Sequence, residues 1–67
     1  MDWNGLSGDW VQGQERVRRR WDKLTDEDLA YIAGNRAHFV ARVQDRYQMT
    51  REEVELHLKN WLATEMA

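Results

Sequence analysis

Residues 24–35, Leu-Thr-Asp-Glu-Asp-Leu-Ala-Tyr-Ile-Ala-Gly-Asn, contain the start and the end of one short helix and the start of the next. The Thr25 hydroxyl can accept a hydrogen bond from an N–H of a first helical turn, and three acids follow it at the positive end of the helix dipole. Ala33-Gly34 is typical of a helix end, and Asn35 is a good cap for the following helix. The positions expected to face inward are Leu29 and Ile32. This stretch predicts tightly connected helices.

The segment before it carries an apolar stripe with the period of an α-helix. Apolar or small residues recur at steps of three and four, namely Trp3, Leu6, Trp10, Gly13, Val17, Trp21 and Leu24. At about 100° per residue they fall within an arc of roughly 80°. Gly5 and Gly8 lie off the stripe, and each weakens a helix by up to about 1 kcal/mol relative to Ala. We therefore expect a frayed start and then a firm helix from Trp10 to Lys23.

Two further helices are predicted after residue 35. The inner positions of the first are Phe39, Val40, Val43 and Tyr47. The second begins with Thr50-Arg51-Glu52-Glu53, a capping box with Thr at the N-cap and Glu at N3. Its apolar positions are Val54, Leu58, Trp61 and Leu62. Because strand signals are missing, we expect an all-α fold: a single domain over residues 1–67, built as a compact bundle of four short helices in orthogonally packed helical hairpins.

The shared periodicity predicts one hydrophobic core. A domain of this length buries only about 60% of its unfolded surface, so the four Trp, each with a large buried area, are expected to supply much of it. The predicted core residues are Leu6, Trp10, Val17, Trp21, Leu24, Leu29, Ile32, Phe39, Val43, Tyr47, Val54, Leu58 and Trp61. If the end of the stripe at Trp3 and Trp10 stays uncovered, that patch would serve as a partner site or a self-association site.

Composition excludes several classes of protein. The chain has no Cys, which excludes a disulfide framework, a thiolate zinc site and a thiol nucleophile. No apolar run approaches the roughly 20 residues that span a bilayer, and Met1–Gly5 lacks the basic start and apolar stretch of a signal peptide. We therefore expect a cytoplasmic protein without a membrane span. A formal net charge of -2 provides no overall attraction to nucleic acid or anionic lipid.

The residue types that catalysis and metal binding require occur in patterns that helix ends explain. His38 and His57 are the only imidazoles, and a metal site would need Glu53 and His57 at i, i+4 plus a ligand from elsewhere. The carboxylates cluster at helix starts, where capping and the helix dipole account for them. Ser7 is the only Ser and has no base beside it in the pattern. We expect no enzyme activity, no cofactor and no metal.

Residues 16–23, Arg-Val-Arg-Arg-Arg-Trp-Asp-Lys, carry the sharpest local charge pattern. On a helix, a basic stripe would form from Arg16, Arg19, Arg20 and Lys23. One interpretation is phosphate contact, from nucleic acid or a lipid headgroup. The other is a solvated face near a helix C-terminus, where cations are favoured. The solvated face is favoured because five basic and four acidic residues leave residues 1–24 with a net charge of only +1.

The block Leu24–Leu29, followed by Ile32–Arg36, is the most specific motif of the chain. Around it stand Trp3, Gly8, Trp10, Gly13, Val17, Trp21, Val43-Gln44-Asp45-Arg46-Tyr47 and Trp61. This order of residues resembles the CsbD-like family of small bacterial stress proteins over nearly the whole chain. The resemblance implies four short helices, a link to the general stress response and no established biochemical activity. The family often has Gly after the Tyr, where this chain has Gln48, and its first helix is usually rich in Lys rather than Arg.

The residues leave three hypotheses of function open. The first is a non-catalytic general stress-response protein that acts by surface interactions. The alternative is a weak nucleic-acid-binding module that uses the basic stripe, and steep salt dependence of binding would distinguish it. A third hypothesis is chaperone-like binding through exposed Trp. No sequence pattern identifies the partner.

Thr25→Ala and Thr50→Ala are each expected to lower the free energy of unfolding by about 1 kcal/mol, because each removes a hydroxyl that satisfies an N–H of a first helical turn. Urea unfolding of both variants beside the unmodified protein measures the difference. Equal stability of all three proteins would mean that neither helix begins at its Thr.

Overall fold

The computed structural model describes residues 3–65, in which the chain forms five α-helices and no strand. The helices are α1 (Trp3–Gly8), α2 (Trp10–Arg20), α3 (Asp26–Ile32), α4 (Arg36–Tyr47) and α5 (Arg51–Glu65). The all-α class is confirmed, but five helices replace the predicted four. Residues 1–2 and 66–67 lie outside the described residues, so the expectation for Met1–Gly5 and the ends of the predicted domain fall partly outside them as well.

The predicted frayed start is a separate helix, α1. Asp9 interrupts the helix between α1 and α2, because its φ of -125° and ψ of 77° are not helical. Trp3 and Leu6 are both buried, and the indole N–H of Trp3 donates to the carbonyl oxygen of Gly34 at 2.8 Å. A helix this short is unstable by itself in water, so these tertiary contacts account for its presence.

Helix α2 ends earlier than its sequence predicts. Trp21 leaves the helix with a φ of -120° and a ψ of 78°, and it is only 2% exposed. Its ring makes edge contacts with Phe39 and Trp61, at centroid distances of 4.9 and 5.1 Å. The prediction of a helix as far as Lys23 is therefore wrong, because the burial of this ring outweighs further helical hydrogen bonds.

The predicted starts of the last three helices are confirmed by side-chain hydrogen bonds. The Thr25 hydroxyl accepts from the N–H of Asp28 at 3.1 Å, and the Asp28 carboxylate accepts from the N–H of Thr25 at 3.0 Å. Asn35 accepts from two backbone N–H groups of α4. Thr50 and Glu53 form the predicted capping box, with distances of 3.2 and 3.1 Å. Each of these helices therefore begins where a local sequence signal places it.

Two helix ends use left-handed backbone. Ala33 and Gly34 close α3 with φ values of 43° and 83°, as the sequence predicts. Gln48 closes α4 with a φ of 55°. A left-handed residue is the position where Gly carries no steric penalty. Gly therefore suits the residue after Tyr47 in the CsbD-like pattern. Gln48 adopts the same left-handed conformation with a steric penalty that Gly would not have.

The core is close to the predicted one. Confirmed as buried are Leu6, Val17, Trp21, Leu24, Leu29, Ile32, Phe39, Val43, Val54, Leu58 and Trp61. Trp10 and Tyr47 are only partly buried and pack against this cluster, while Trp3 and Val40 also belong to it. The idea of an uncovered patch at Trp3 is wrong, because Trp3 is only 8% exposed and contacts both Trp10 and Phe39. The indole N–H of Trp10 donates to the carbonyl oxygen of Leu29.

The helices pack mostly against their neighbours in the chain. α1 contacts α2, α3 contacts α4, and α4 contacts α5. The radius of gyration of 10.8 Å matches the roughly 11 Å expected for a compact domain of this length. Over residues 3–65, none of the helices has both the length and the apolar character needed to cross a bilayer.

Gly13 allows a close approach of α2 to the backbone of α1. A Cβ built at this position would lie 2.4 Å from the carbonyl oxygen of Leu6, well inside van der Waals contact. The obstacle is backbone, which cannot rotate away as a side chain can. Gly13 therefore stands on the apolar stripe because α1 and α2 leave no room for a larger side chain at this position.

Gly13→Ala is expected to lower the free energy of unfolding by about 1–3 kcal/mol through overpacking. Helix propensity alone predicts a gain of up to about 1 kcal/mol. Gly8→Ala is the matched control, since a Cβ at Gly8 meets no heavy atom within 4 Å. Urea unfolding of both variants should show Gly8→Ala no less stable than the parent, and a stabilised Gly13→Ala variant would contradict the close approach.

Candidate functional site

The four residues predicted to contact phosphate do not form one helical stripe. Helix α2 carries three of them, namely Arg16, Arg19 and Arg20. Lys23 lies in the turn after the helix, where its ammonium group sits 5.1 Å from the centre of the Tyr47 ring. The Arg20 guanidinium lies 5.1 Å from the Trp21 ring centre. Cation–π contacts therefore account for the positions of Arg20 and Lys23 without a phosphate ligand. Phosphate contact by the four residues stays a prediction.

The two histidines lie on different helices and contact other groups. His38 stacks on the Tyr31 ring at a centroid distance of 4.3 Å, and its Nδ1 lies 3.0 Å from the Tyr31 carbonyl oxygen. The Nδ1 atom of His57 lies 3.4 Å from the guanidinium of Arg20. The pKa of Glu53 is held below its usual value, chiefly because its carboxylate accepts the backbone N–H at the α5 N-cap. Within residues 3–65, no three acidic or imidazole side chains are grouped so as to hold a metal ion.

Asp28 forms a buried ionic cluster that sequence analysis missed. Its side chain is 1% exposed and receives two hydrogen bonds from Arg46, from Nε at 2.8 Å and from Nη2 at 3.1 Å. Nη1 of Arg42 lies 3.5 Å from the same carboxylate, and the Arg42 guanidinium sits over the Tyr31 ring at 4.1 Å. A forked Arg–carboxylate pair is geometrically specific. The cluster therefore fixes the start of α3 against the end of α4.

The electrostatics of this cluster favour ionised Asp28. The pKa of Asp28 is lowered from 3.8 to about 2, chiefly by the hydrogen bonds from Arg46. Burial acts in the opposite direction, and the N–H of Thr25 contributes to the lowering. The same contact raises the pKa of Arg46. A carboxylate held in the charged form in this way is a poor proton donor or acceptor near neutral pH. The cluster is suited to holding two helices together rather than to acid–base chemistry.

An open groove with a volume of about 930 Å³ lies between α1 and α5. Its apolar lining comes from both helices and consists of Trp3, Leu56, Leu58, Leu62 and Ala63. Trp3 and Leu58 are buried in the floor of the groove and Leu62 is half-buried, whereas Ala63 is exposed and Leu56 is 59% exposed at the edge. We call this surface the α1–α5 groove.

Charged side chains border the α1–α5 groove. Arg36 and Glu55 stand on the lining, 3.2 Å apart, and the same Glu55 oxygen lies 3.5 Å from Arg51, which is outside the lining. Lys59 stands on the lining of the groove one turn further along α5. The rim therefore carries more positive than negative charge. An apolar floor with a hydrated charged rim can accept an apolar side chain of another molecule.

The sequence carries only one sign of the α1–α5 groove, the apolar residue Leu56. Leu56 falls between the inner positions Val54 and Leu58, on a turn that is otherwise polar. A single apolar residue off the core stripe is common on protein surfaces. Only the position of α1 beside α5 shows that Leu56 borders a concave surface.

Three bacterial relatives resemble the chain over most of its length. A UPF0337 protein of Rhodopseudomonas palustris is 38% identical over 64 residues, which cover 96% of this chain and 97% of the relative. The chain belongs to the UPF0337, or CsbD-like, family. A UPF0337 protein of Pectobacterium atrosepticum is 39% identical, and the UPF0337 protein YjbJ of Escherichia coli K12 is 33% identical, each over 91% of this chain and 88% of the relative. No family model and no solved structure matches the chain.

In this UPF0337 protein, Asp28→Ala is expected to lower the free energy of unfolding at pH 7 by about 2–3 kcal/mol, less than the 3–5 kcal/mol of a fully buried pair because both arginines are partly exposed. The pKa of Asp28 is lower in the folded state, so its charge stabilises the fold above about pH 3.8, and this contribution is lost as the pH falls through about 2. Urea unfolding at pH 7 and about pH 2 should therefore show a smaller difference at the lower pH.

The matched control is Asp26→Ala. Asp26 pairs with Arg18, but its side chain is 80% exposed. Exposed ion pairs contribute about 0–1 kcal/mol, so this change should be mild at both pH values. An Asp28→Ala variant no less stable than Asp26→Ala would contradict the role of the buried cluster.

Proposed function

We propose that this UPF0337 protein is a non-catalytic stress-response protein of the bacterial cytoplasm that acts by surface interactions, with the α1–α5 groove as its contact surface. The observation that carries the proposal is the exposed Leu56 at the edge of an apolar groove, in a chain whose other large aliphatic side chains mostly lie in the core. The link to stress rests on the CsbD-like motif.

The ionisable groups that meet in the fold support a binding role rather than a catalytic one. Asp28 is paired with two arginines, and Glu55 is shared by two more. Glu53 caps α5. The partners of Asp28 and Glu53 favour the charged form of each carboxylate, whereas acid–base catalysis requires groups poised to exchange protons. The basic stripe is a weaker candidate, because Arg20 and Lys23 pack on aromatic rings.

The groove can be tested by complementation in a bacterial strain that lacks this protein. The unmodified protein is expected to rise in abundance under osmotic or stationary-phase stress and to restore survival, whereas Leu56→Asp should restore little. A charged side chain at the groove edge opposes apolar contact but disturbs no buried packing. Val11→Asp is the matched control, since Val11 is 70% exposed on α2, away from the groove lining.

Circular dichroism melts should first show that both variants are folded like the parent. Full rescue by Leu56→Asp would contradict the groove as the contact surface. Absence of any survival defect in the strain under all stresses would contradict the stress role. A duplex-DNA mobility shift that weakens steeply with salt would move the function to the basic stripe.

A further inference from the structure

Helix α5 has a second face that the core does not use. Its buried face consists of Val54, Leu58 and Trp61. On the opposite side, Glu52, Leu56, Lys59 and Ala63 fall within an arc of about 60° at 100° per residue. All four are exposed in the folded chain. We call this the outer face of α5, and three of its residues, Leu56, Lys59 and Ala63, also line the α1–α5 groove.

The charges on the outer face are arranged so that it complements itself. Glu52 lies four residues before Leu56, and Lys59 lies three residues after it. With a rise of 1.5 Å per residue, the two charges stand about 6 and 4.5 Å from Leu56 in opposite directions along the helix. Rotation by 180° about an axis through Leu56 therefore brings the Lys59 of one copy opposite the Glu52 of another.

We propose that the outer face of α5 pairs antiparallel with the same face of a second copy of this chain. Leu56 of each copy lies near the two-fold axis, and two Glu52–Lys59 ion pairs flank it. A two-fold interface uses the same patch on both subunits, which is what this arrangement supplies. A parallel pairing is disfavoured because it would set each of these charges beside its own kind and align the helix dipoles.

The pairing is weak and concentration-dependent. α5 has 15 residues and is about 22 Å long, so one helix–helix contact covers less than the roughly 800 Å² per partner of a standard interface. The proposal rests on the proposed function in one respect, since pairing and partner contact would both use Leu56, Lys59 and Ala63. In the dimer, which forms at high concentration, the second copy would cover the groove edge at Leu56. In the monomer this edge would be exposed.

Sedimentation velocity of the full chain tests the pairing over about 10 µM to 1 mM, the range in which a weak dimer forms. The average mass is expected to rise from that of the 8.1 kDa chain toward twice that value. Leu56→Asp, Lys59→Glu and Glu52→Lys should each lower the association constant at least about tenfold. Val11→Asp, on exposed α2 surface, should leave it unchanged.

The decisive variant combines Glu52→Lys with Lys59→Glu. It exchanges the two charges, so it should dimerise as the parent does although each single change does not. Circular dichroism melts establish that all variants are folded. A parent that stays monomeric at about 1 mM would overturn the proposal, and so would single charge variants that keep the parent's association constant or a double variant that stays monomeric.

The two proposals fail separately. A monomeric parent combined with loss of rescue by Leu56→Asp would overturn the pairing and leave the groove as a site for another partner. A dimeric parent combined with full rescue by Leu56→Asp would overturn the proposed function and leave the pairing intact.

Discussion

Phe39 lies between two tryptophans, and this contact joins the parts of the fold. Its ring centre is 5.1 Å from that of Trp3 and 4.9 Å from that of Trp21, and Trp21 contacts Trp61 in turn. The chain of rings links α1, the turn after α2, α4 and α5. Each such contact adds about 0.5–1.5 kcal/mol beyond the burial of area. In a domain with so little chain, contacts between aromatic rings connect elements that longer helices would connect in a larger protein.

The contact between Trp3 and Phe39 also accounts for the α1–α5 groove. Trp3 must reach Phe39, which holds the short helix α1 across the bundle with its indole N–H on the carbonyl of Gly34. α5 is held independently, by Leu58 and Trp61 in the core. Because α1 has only six residues, it covers part of the neighbouring side of α5 and leaves Leu56 at the edge. The surface to which we assign the function is therefore a direct result of how the core closes.

The candidate site shows the limits of sequence reasoning. The Thr25 cap was predictable, but the burial of Asp28 and its forked pair with Arg46 were not, because the partners are 18 residues apart in the chain. The basic stripe was predicted as a continuous helical face, and it is interrupted because Trp21 leaves α2 to enter the core. Leu56 gave no periodic signal. In each case, the missing information was which segments lie side by side.

The sequence by itself determined the all-α class, the starts of α3, α4 and α5, nearly all of the core and the family. Those features depend on hydrogen bonds within a turn and on the helical period, both of which are written in adjacent residues. Only the tertiary structure decided the break at Asp9, the end of α2 at Arg20, the need for Gly13 against the Leu6 carbonyl and the exposure of Leu56. These features depend on contacts between segments, whose energies outweigh local helix propensity and are not encoded in any short stretch of the chain.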